Sequence, residues 1–325
     1  MQIAKKNNTK TTIDKIKQFL NGLPPLTWVV VALFIIFGLI SPEFYLVDNL
    51  VNMVRRGSTL WILATMATLL LISGGLDLSL GAVLTFSGVV MAIMLRAGYG
   101  PLISSLAGIL SGTLIGALNG LLVSTLGIPA FIVTLGTMNV FAGLAVAMSE
   151  TSAIFIDNFT MKFIGAGAIA GIPVPVWVSI IIFVLSYVIF HHTSFGRYIV
   201  AIGENKLGAH LSGVNTGFYT FLVFAYASTM AGIAGVVLAS RIQSADPRVG
   251  VGWEFDAVAA SIMGGTLRGS GKSGITTTIV GVLLIVILRN GLNIIQVPVE
   301  WRSAVVGVFL LAGIIIDISI RRRES

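Results

Sequence analysis

Long apolar runs separated by short polar segments make up most of this chain. Runs long enough to cross, or nearly cross, a lipid bilayer cover residues 27–40, 59–73, 76–95, 101–126, 129–148, 174–190, 218–239, 256–264, 274–295 and 298–318. A helix needs about 20 residues to cross the hydrocarbon core, so the short run at 256–264 is either a partial span or a helix extended by flanking polar residues. The pattern predicts an all-α, polytopic integral membrane protein with about ten transmembrane helices, within a range of roughly eight to eleven.

The composition agrees with a chain that faces lipid over most of its surface. Hydrophobic residues make up 56% of the chain and charged residues 10%, whereas a soluble domain carries about 25% charged residues. The 37 glycines suit close helix packing in a bilayer, where small residues let two backbones approach.

The sequence contains no pattern that indicates an enzyme or a metal protein. The absence of cysteine excludes disulfides, thiolate metal sites and a cysteine nucleophile. His191, His192 and His210 lie in one polar stretch without metal-binding spacing. We therefore expect no cofactor and no catalytic residues.

The distribution of charge predicts the orientation. The formal net charge is +7, and the basic excess falls in the leader 1–26, the loops 191–217 and 265–274, and the tail 321–325. Basic residues concentrate on the cytoplasmic side of membrane proteins, so both termini are expected in the cytoplasm, flanking a transmembrane domain over 27–320. The same distribution argues for contact with membrane lipid and against nucleic-acid binding.

The stretch GGTLRGSGKSG at 264–274 looks like a nucleotide-binding P-loop but departs from it. A P-loop needs a glycine five residues before its Gly-Lys-Ser ending, and Thr266 stands there. The stretch also lies between two apolar runs, with no room for a nucleotide-binding domain. We interpret it as a turn at a membrane face, with Arg268 and Lys272 as cytoplasmic anchors.

The stretch ISGGLDLSLGAVL at 72–84 places an acid inside an apolar sequence. Gly74 and Gly75 are expected to break the helix before it. Burying a carboxylate in a membrane is costly, so Asp77 should face a cavity, a partner or a helix end. Asp77 and Ser79 then either line a polar pathway, or Asp77 caps the next helix by accepting backbone N–H bonds; both interpretations stay open.

Other polar residues also have two interpretations. Asn119, Asn139 and Asn293 lie in apolar runs and either contact a solute or bond to a neighbouring helix. The stretch 240–256, with Gln243, Asp246 and Arg248, either docks a soluble partner or is a solvated loop.

Two further patterns concern organisation. The stretch 191–215 predicts a short amphipathic helix on the membrane face that offers polar groups to a partner. Glycine pairs at 74–75 and 264–265, each followed six residues later by another glycine, suggest an internal repeat of the kind common in transporters.

Four blocks together resemble the permease subunits of bacterial ATP-binding-cassette sugar importers of the ribose type. They are SGGLDLSLGA (73–82), PAFIVTLGT (129–137), TSFGRYIVAIGENKLGAHLSGVN (193–215) and FDAVAASIMGGTLRGSGKSG (255–274). The likeness covers about residues 40–318. Ser270 departs from the family pattern, which has a glycine there.

The resemblance implies a function and partners in the bacterial inner membrane. Two permease subunits, as a homodimer, would form the pathway, a cytoplasmic ATPase would drive it, and a periplasmic binding protein would deliver a monosaccharide. It also implies that Gly203, Glu204, Asn205 and Gly213 couple the permease to the ATPase. The resemblance does not select the sugar; an importer of another small polar solute, such as autoinducer-2, is an alternative.

An ion-coupled secondary transporter is the alternative from a different class. It would need several buried ionisable residues acting as a relay, and only Asp77 and Asp256 qualify.

Overall fold

The computed structural model describes residues 25–265, 274–298, 300–302 and 304–309. Its helices are α1 (Pro25–Ile40), α2 (Val47–Ile72), α3 (Leu80–Arg96), α4 (Pro101–Thr125), α5 (Ala130–Met148), α6 (Phe159–Ala166), α7 (Val174–His192), α8 (Ser194–Glu204), α9 (Lys206–Leu211), α10 (Thr216–Ile242), α11 (Trp253–Met263) and α12 (Gly274–Ile294). A 3-10 turn spans Pro42–Tyr45. The short strands are β1 (Ile154–Phe155), β2 (Ala168–Ile169), β3 (Ile172–Pro173) and β4 (Ser244–Ala245), paired antiparallel as β1–β4 and β2–β3.

The helices confirm the all-α, membrane-spanning fold class. Five helices (α4, α5, α7, α10 and α12) are long and apolar enough to cross a membrane, and α1 and α3 are shorter apolar helices. The eleven residues of α11 extend about 16 Å at 1.5 Å per residue, so of the two alternatives for this run the structure favours the partial span. The tenth predicted run is helical at 300–302 and 304–309; residue 298 precedes the helix, and the rest of the run lies outside the described residues, as do 266–273 of the glycine-rich turn.

Helix α2 is the central helix of the bundle. Nearly every residue from Ser58 to Leu70 is buried, and α7, α10, α11 and α12 pack around it. Residues 41–58 separate two apolar runs and would be a loop by hydropathy, which is wrong because α2 begins at Val47. Polar residues fill the first turns of α2, so a hydropathy pattern detects only its apolar half.

Glycines allow α4 to pack closely against its neighbours. Gly108, Gly112, Gly116 and Gly120 recur every fourth residue and therefore share one face of the helix. A Cβ atom at Gly116 would lie 2.6 Å from the Phe224 carbonyl oxygen, and one at Gly120 would lie 2.7 Å from that of Phe221. This glycine face explains the extensive packing of α4 on α10.

Two segments between the predicted apolar runs, 149–173 and 240–256, contain ordered structure. The segment 149–173 includes α6 and three of the short strands. Ile154 pairs with Ala245 across β1–β4, which ties this segment to the loop after α10. The pairing was not detectable from two-residue strands separated by about 90 positions.

Candidate functional site

The helical path is interrupted between α2 and α3. Helix α2 ends at Ile72, and Gly74 adopts a left-handed conformation with φ +78° that favours glycine. The Gly75 N–H donates to the Leu70 carbonyl at 2.9 Å, which closes the helix end. We call residues 73–79 the break segment; the predicted interruption is present, but the next helix begins at Leu80, not within the run from 76.

Three predicted pathway residues meet in one buried network at the break segment. Asp77 Oδ1 accepts the Ser79 N–H at 2.7 Å and the Ser79 hydroxyl at 2.6 Å. The Asn119 amide of α4 donates to Ser79 Oγ at 2.9 Å. All three residues are at most 1% exposed.

The network bears on both interpretations of Asp77. Its carboxylate accepts the backbone N–H of Ser79, which precedes α3, and not an N–H from the first turn of α3, where a helix cap would bond. Asp77 Oδ2 and Asn119 Oδ1 are also buried without a hydrogen-bond partner in the described part of the chain. The network is therefore closed to solvent in this conformation, and pathway lining by Asp77, Ser79 and Asn119 stays a prediction.

Two other predicted pathway residues lie away from this network. Asn139 is exposed on α5 and donates to the carbonyl of Leu135 in its own helix at 2.8 Å. Asn293 is exposed and accepts from Arg302 Nη1 at 2.8 Å. The structure does not bring either of them to the break segment.

The predicted coupling segment forms two short helices, α8 and α9. Helix α8 buries Ile199 and Ile202 and exposes Arg197, which is the amphipathic character that the sequence predicts. Asn205 separates the two helices, and its Oδ1 caps α9 by accepting the Gly208 N–H at 2.8 Å. We call α8 and α9 together the coupling pair; its exposed junction includes Glu204.

Gly203 places the coupling pair directly on the end of α2. A Cβ atom at Gly203 would lie 1.8 Å from the Ile72 carbonyl oxygen, and one at Gly74 would lie 3.5 Å from the Cα of Gly203. Backbone therefore touches backbone, and only a residue without a side chain fits at 203. Gly213, at φ +85°, has open space around it and serves the turn after α9.

A second candidate site is a cavity at the opposite end of the bundle. Its volume is about 320 Å³, and Arg56 of α2 lies sixteen residues, or about 24 Å, from the end that touches Gly203. The cavity is lined by Arg56, Leu60, Leu238, Arg241, Ile242, Val249, Val251, Gly252, Trp253, Asp256, Ile285, Val286 and Arg289.

Positive charge dominates this arginine cavity. Arg289 Nη2 pairs with Asp256 Oδ1 at 2.7 Å. Asp256 is the one carboxylate in the described cavity lining, so Arg56 and Arg241 have no carboxylate partner among the lining residues. Burial and the mutual repulsion of neighbouring guanidinium groups make such a cluster costly unless an anion neutralises it. Sequence reasoning missed this site because its three arginines come from three separate helices.

The predicted docking residues differ in exposure and in hydrogen bonding. Gln243, at φ 54°, donates its amide to the Ser240 carbonyl of its own helix. Asp246 and Arg248 are exposed, and Asp246 Oδ1 accepts the Arg248 N–H at 2.8 Å. The stretch is more than a solvated loop, since its buried Gly250 donates to Thr85 Oγ1 at 3.0 Å.

Comparison with known proteins identifies the family. The model of a family described as branched-chain amino acid transport system / permease component matches residues 49–314. The chain belongs to this permease family. This match and the relatives described next together confirm the resemblance drawn from the four sequence blocks and a multi-pass protein of the inner membrane.

Individual relatives cover nearly the whole permease. This chain is 35% identical to the D-allose transport system permease protein AlsC of Escherichia coli (strain K12), over 90% of both chains. It is 34% identical to the ribose import permease protein RbsC of Haemophilus influenzae, over 88% of this chain and 90% of that protein. The Bacillus subtilis (strain 168) ribose import permease protein RbsC is also 34% identical, over 88% and 89% of the two chains.

A solved structure shares the fold. It is described as an ABC transporter of the metal-chelate type in an inward-facing conformation, and it is 16% identical with a TM-score of 0.53. The alignment covers 90% of the permease and 99% of that chain. At this identity the likeness concerns the fold alone.

Removing the Asp77 carboxylate is expected to destabilise the permease. Asp77→Ala leaves the buried N–H and hydroxyl of Ser79 without their acceptor, and each unsatisfied buried group costs about 1–3 kcal/mol. The purified Asp77→Ala protein should unfold at lower temperature in detergent, whereas Asp77→Asn keeps an acceptor oxygen and should lose less. Asp246→Ala is the matched control, because Asp246 makes the equivalent local bond at an exposed position. Equal stability of Asp77→Ala and the wild type would rule out the structural role.

Proposed function

We propose that this permease forms the membrane pathway of an ATP-driven importer for a monosaccharide. The relatives that match nearly the whole chain are named for D-allose, ribose and, at 30% identity, L-arabinose, which supports a pentose or hexose as the solute. The observation that carries the proposal is the contact between the exposed coupling pair and the polar break segment. It gives an external motor a direct mechanical connection to the membrane interior.

The coupling pair is suited to contact a soluble ATPase. Leu207 and Leu211 are 68% and 78% exposed on α9 and lie one helical turn apart on the same face. Exposed leucines on a short helix, next to the charged Glu204 and Lys206, provide an apolar anchor with a polar surround. Energy for transport then comes from ATP hydrolysed in the partner, and this chain receives the movement.

The orientation follows from the charge distribution of the sequence. We place the coupling pair and both termini on the cytoplasmic side, where the basic excess of the loops lies. The arginine cavity then opens on the periplasmic side. There it would receive carboxylates of a soluble sugar-binding protein, since a cationic cavity attracts and orients an acidic partner.

The pathway needs polar groups that bind sugar weakly and briefly. The free acceptors of the buried network, Asp77 Oδ2 of the break segment and Asn119 Oδ1 of α4, are suited to sugar hydroxyl groups when the helices part. The exposed apolar faces of α4 and α5 are suited to lipid and to a second copy of the chain, so we propose a homodimer with the pathway between subunits.

Neutralising the arginine cavity is expected to weaken docking of the binding protein. Arg56→Gln and Arg241→Gln each remove a cavity charge that has no carboxylate partner in the lining. Affinity for the sugar-loaded binding protein, measured by surface plasmon resonance on permease in nanodiscs, should fall about tenfold for each change and depend less on salt. Arg248→Gln is the control for an exposed arginine on the same side; if only Arg248→Gln weakens binding, the docking surface is the loop and not the cavity.

Uptake by the assembled complex tests the solute class. Liposomes containing the permease, its ATPase and ATP, supplied with the binding protein, should accumulate at least one of labelled D-ribose, D-allose and L-arabinose. The panel includes L-leucine, because the matched family is described as a branched-chain amino acid permease. Accumulation of leucine without any sugar would reject the proposed substrate class.

A further inference from the structure

Thr134 connects the break segment to helix α5. Its hydroxyl oxygen accepts the Leu78 N–H at 3.2 Å and lies 3.3 Å from the Leu76 carbonyl oxygen. The hydroxyl proton is shared between that carbonyl and the Ala130 carbonyl of its own helix, at 2.9 Å. Thr134 is fully buried, so water cannot replace these bonds at low cost.

The hydrogen bond from the Leu78 N–H to Thr134 satisfies a backbone donor that the break in the helix leaves without a helical partner. Residues 73–79 are not helical, so their backbone groups lack the partners that a continuous helix would supply. In a membrane, such groups must be satisfied within the protein. A side chain of α5 thus completes the hydrogen bonding of backbone that belongs to the α2–α3 connection.

Helix α5 lies at the periphery of the described bundle and is largely exposed. It packs against α3, where Phe86 contacts Phe141 edge to face, and against α4. The break segment touches the coupling pair through Gly203 on one side and α5 through Thr134 on the other. A short and contiguous chain of contacts therefore connects the coupling pair to α5.

We propose that Thr134 is a positioning residue that passes the displacement of the coupling pair, through the break segment, to α5. The proposal rests on the proposed function, since it assigns the route by which an ATPase moves one pathway helix. Thr134 acts through hydrogen bonds to the backbone of residues 76–78 and needs no contact with the solute.

The test measures sugar transported per ATP hydrolysed in the reconstituted complex, using the panel sugar that the wild type transports fastest. Thr134→Val keeps the shape of the side chain and removes the hydroxyl. It should lower this ratio at least fivefold, while complex assembly and the basal ATPase rate stay unchanged. Thr134→Ser restores the hydroxyl and should restore the ratio, which a merely space-filling role would not predict.

Thr137→Val is the matched control on the same helix. Thr137 is also buried, but its hydroxyl bonds to the carbonyls of Val133 and Thr134 in its own helix. Its replacement should leave the ratio unchanged. If Thr134→Val lowers the yield of assembled complex, Thr134→Ala is measured under the same criteria.

The outcomes separate this inference from the proposed function. A wild-type complex that transports no panel sugar with ATP rejects the proposed function. If the wild-type complex transports sugar normally, two results reject only the role of Thr134. One is a wild-type ratio of sugar to ATP in the Thr134→Val variant, and the other is a Thr134→Ser ratio as low as that of Thr134→Val.

Discussion

Replacing Gly203 by alanine is expected to uncouple ATP hydrolysis from transport. The new Cβ would lie 1.8 Å from the Ile72 carbonyl oxygen, so α8 must move away from the end of α2. The neighbour is backbone and cannot rotate aside, and overpacking of this kind costs about 1–3 kcal/mol. We expect sugar uptake by the reconstituted complex to fall by roughly tenfold or more, because about 1.4 kcal/mol already corresponds to a factor of ten.

The matched control for this change is Gly217→Ala. Gly217 lies in the first turn of α10, close in sequence to the coupling pair, and its nearest potential contact is Asn215 Oδ1 at 3.7 Å. Alanine therefore fits there, and uptake should remain near the wild-type rate. The control also tests whether any added methyl group in this region is harmful. Equal uptake by Gly203→Ala and Gly217→Ala would show that the close contact with Ile72 has no part in coupling.

Breaking the Asp256–Arg289 pair is expected to destabilise the end of the bundle that holds the arginine cavity. The side chain of Asp256 is 11% exposed and that of Arg289 is 32% exposed, so either change leaves a poorly solvated charge. Arg289→Gln and Asp256→Asn should each cost on the order of 3 kcal/mol, the low end for breaking a buried pair, because Arg289 keeps some solvent contact. Thermal unfolding of the purified permease in detergent measures the loss.

The double variant distinguishes a true pair from two independent residues. Asp256→Asn with Arg289→Gln removes both charges together, so its loss of stability should be smaller than the sum of the single losses. Arg248→Gln, at an exposed position, should change stability little. Additive losses in the double variant would contradict a coupled ion pair and, with it, our description of the arginine cavity.

Much of the fold could be predicted from the sequence because membrane insertion imposes a simple rule. Runs of about 20 apolar residues must be helical in a bilayer, and this located the apolar parts of the helices. The rule fails where a helix continues beyond the hydrocarbon. The polar first turns of α2 look like a loop by hydropathy, although Asn49 and Arg55 make hydrogen bonds from within the helix.

The candidate sites were predictable where they are local in the sequence. The glycine pair at 74–75 marked the break segment, and the pattern at 193–215 marked the coupling pair. The contact between them joins residues about 130 positions apart, and no pattern in either segment specifies its distant partner. The arginine cavity is similar, since Arg56, Arg241 and Arg289 look like separate helix-end charges until three helices converge.

The dependence of sugar accumulation on ATP most directly tests whether this chain is the permease of an ATP-driven importer. Liposomes containing only the permease, and liposomes containing the permease with its ATPase, are supplied with the binding protein and the labelled sugar identified from the panel. We expect accumulation only where the ATPase and ATP are present, and we expect it to persist when ionophores dissipate proton and sodium gradients. Accumulation by the permease alone, driven by either ion gradient, would contradict the account and identify the chain as a secondary transporter.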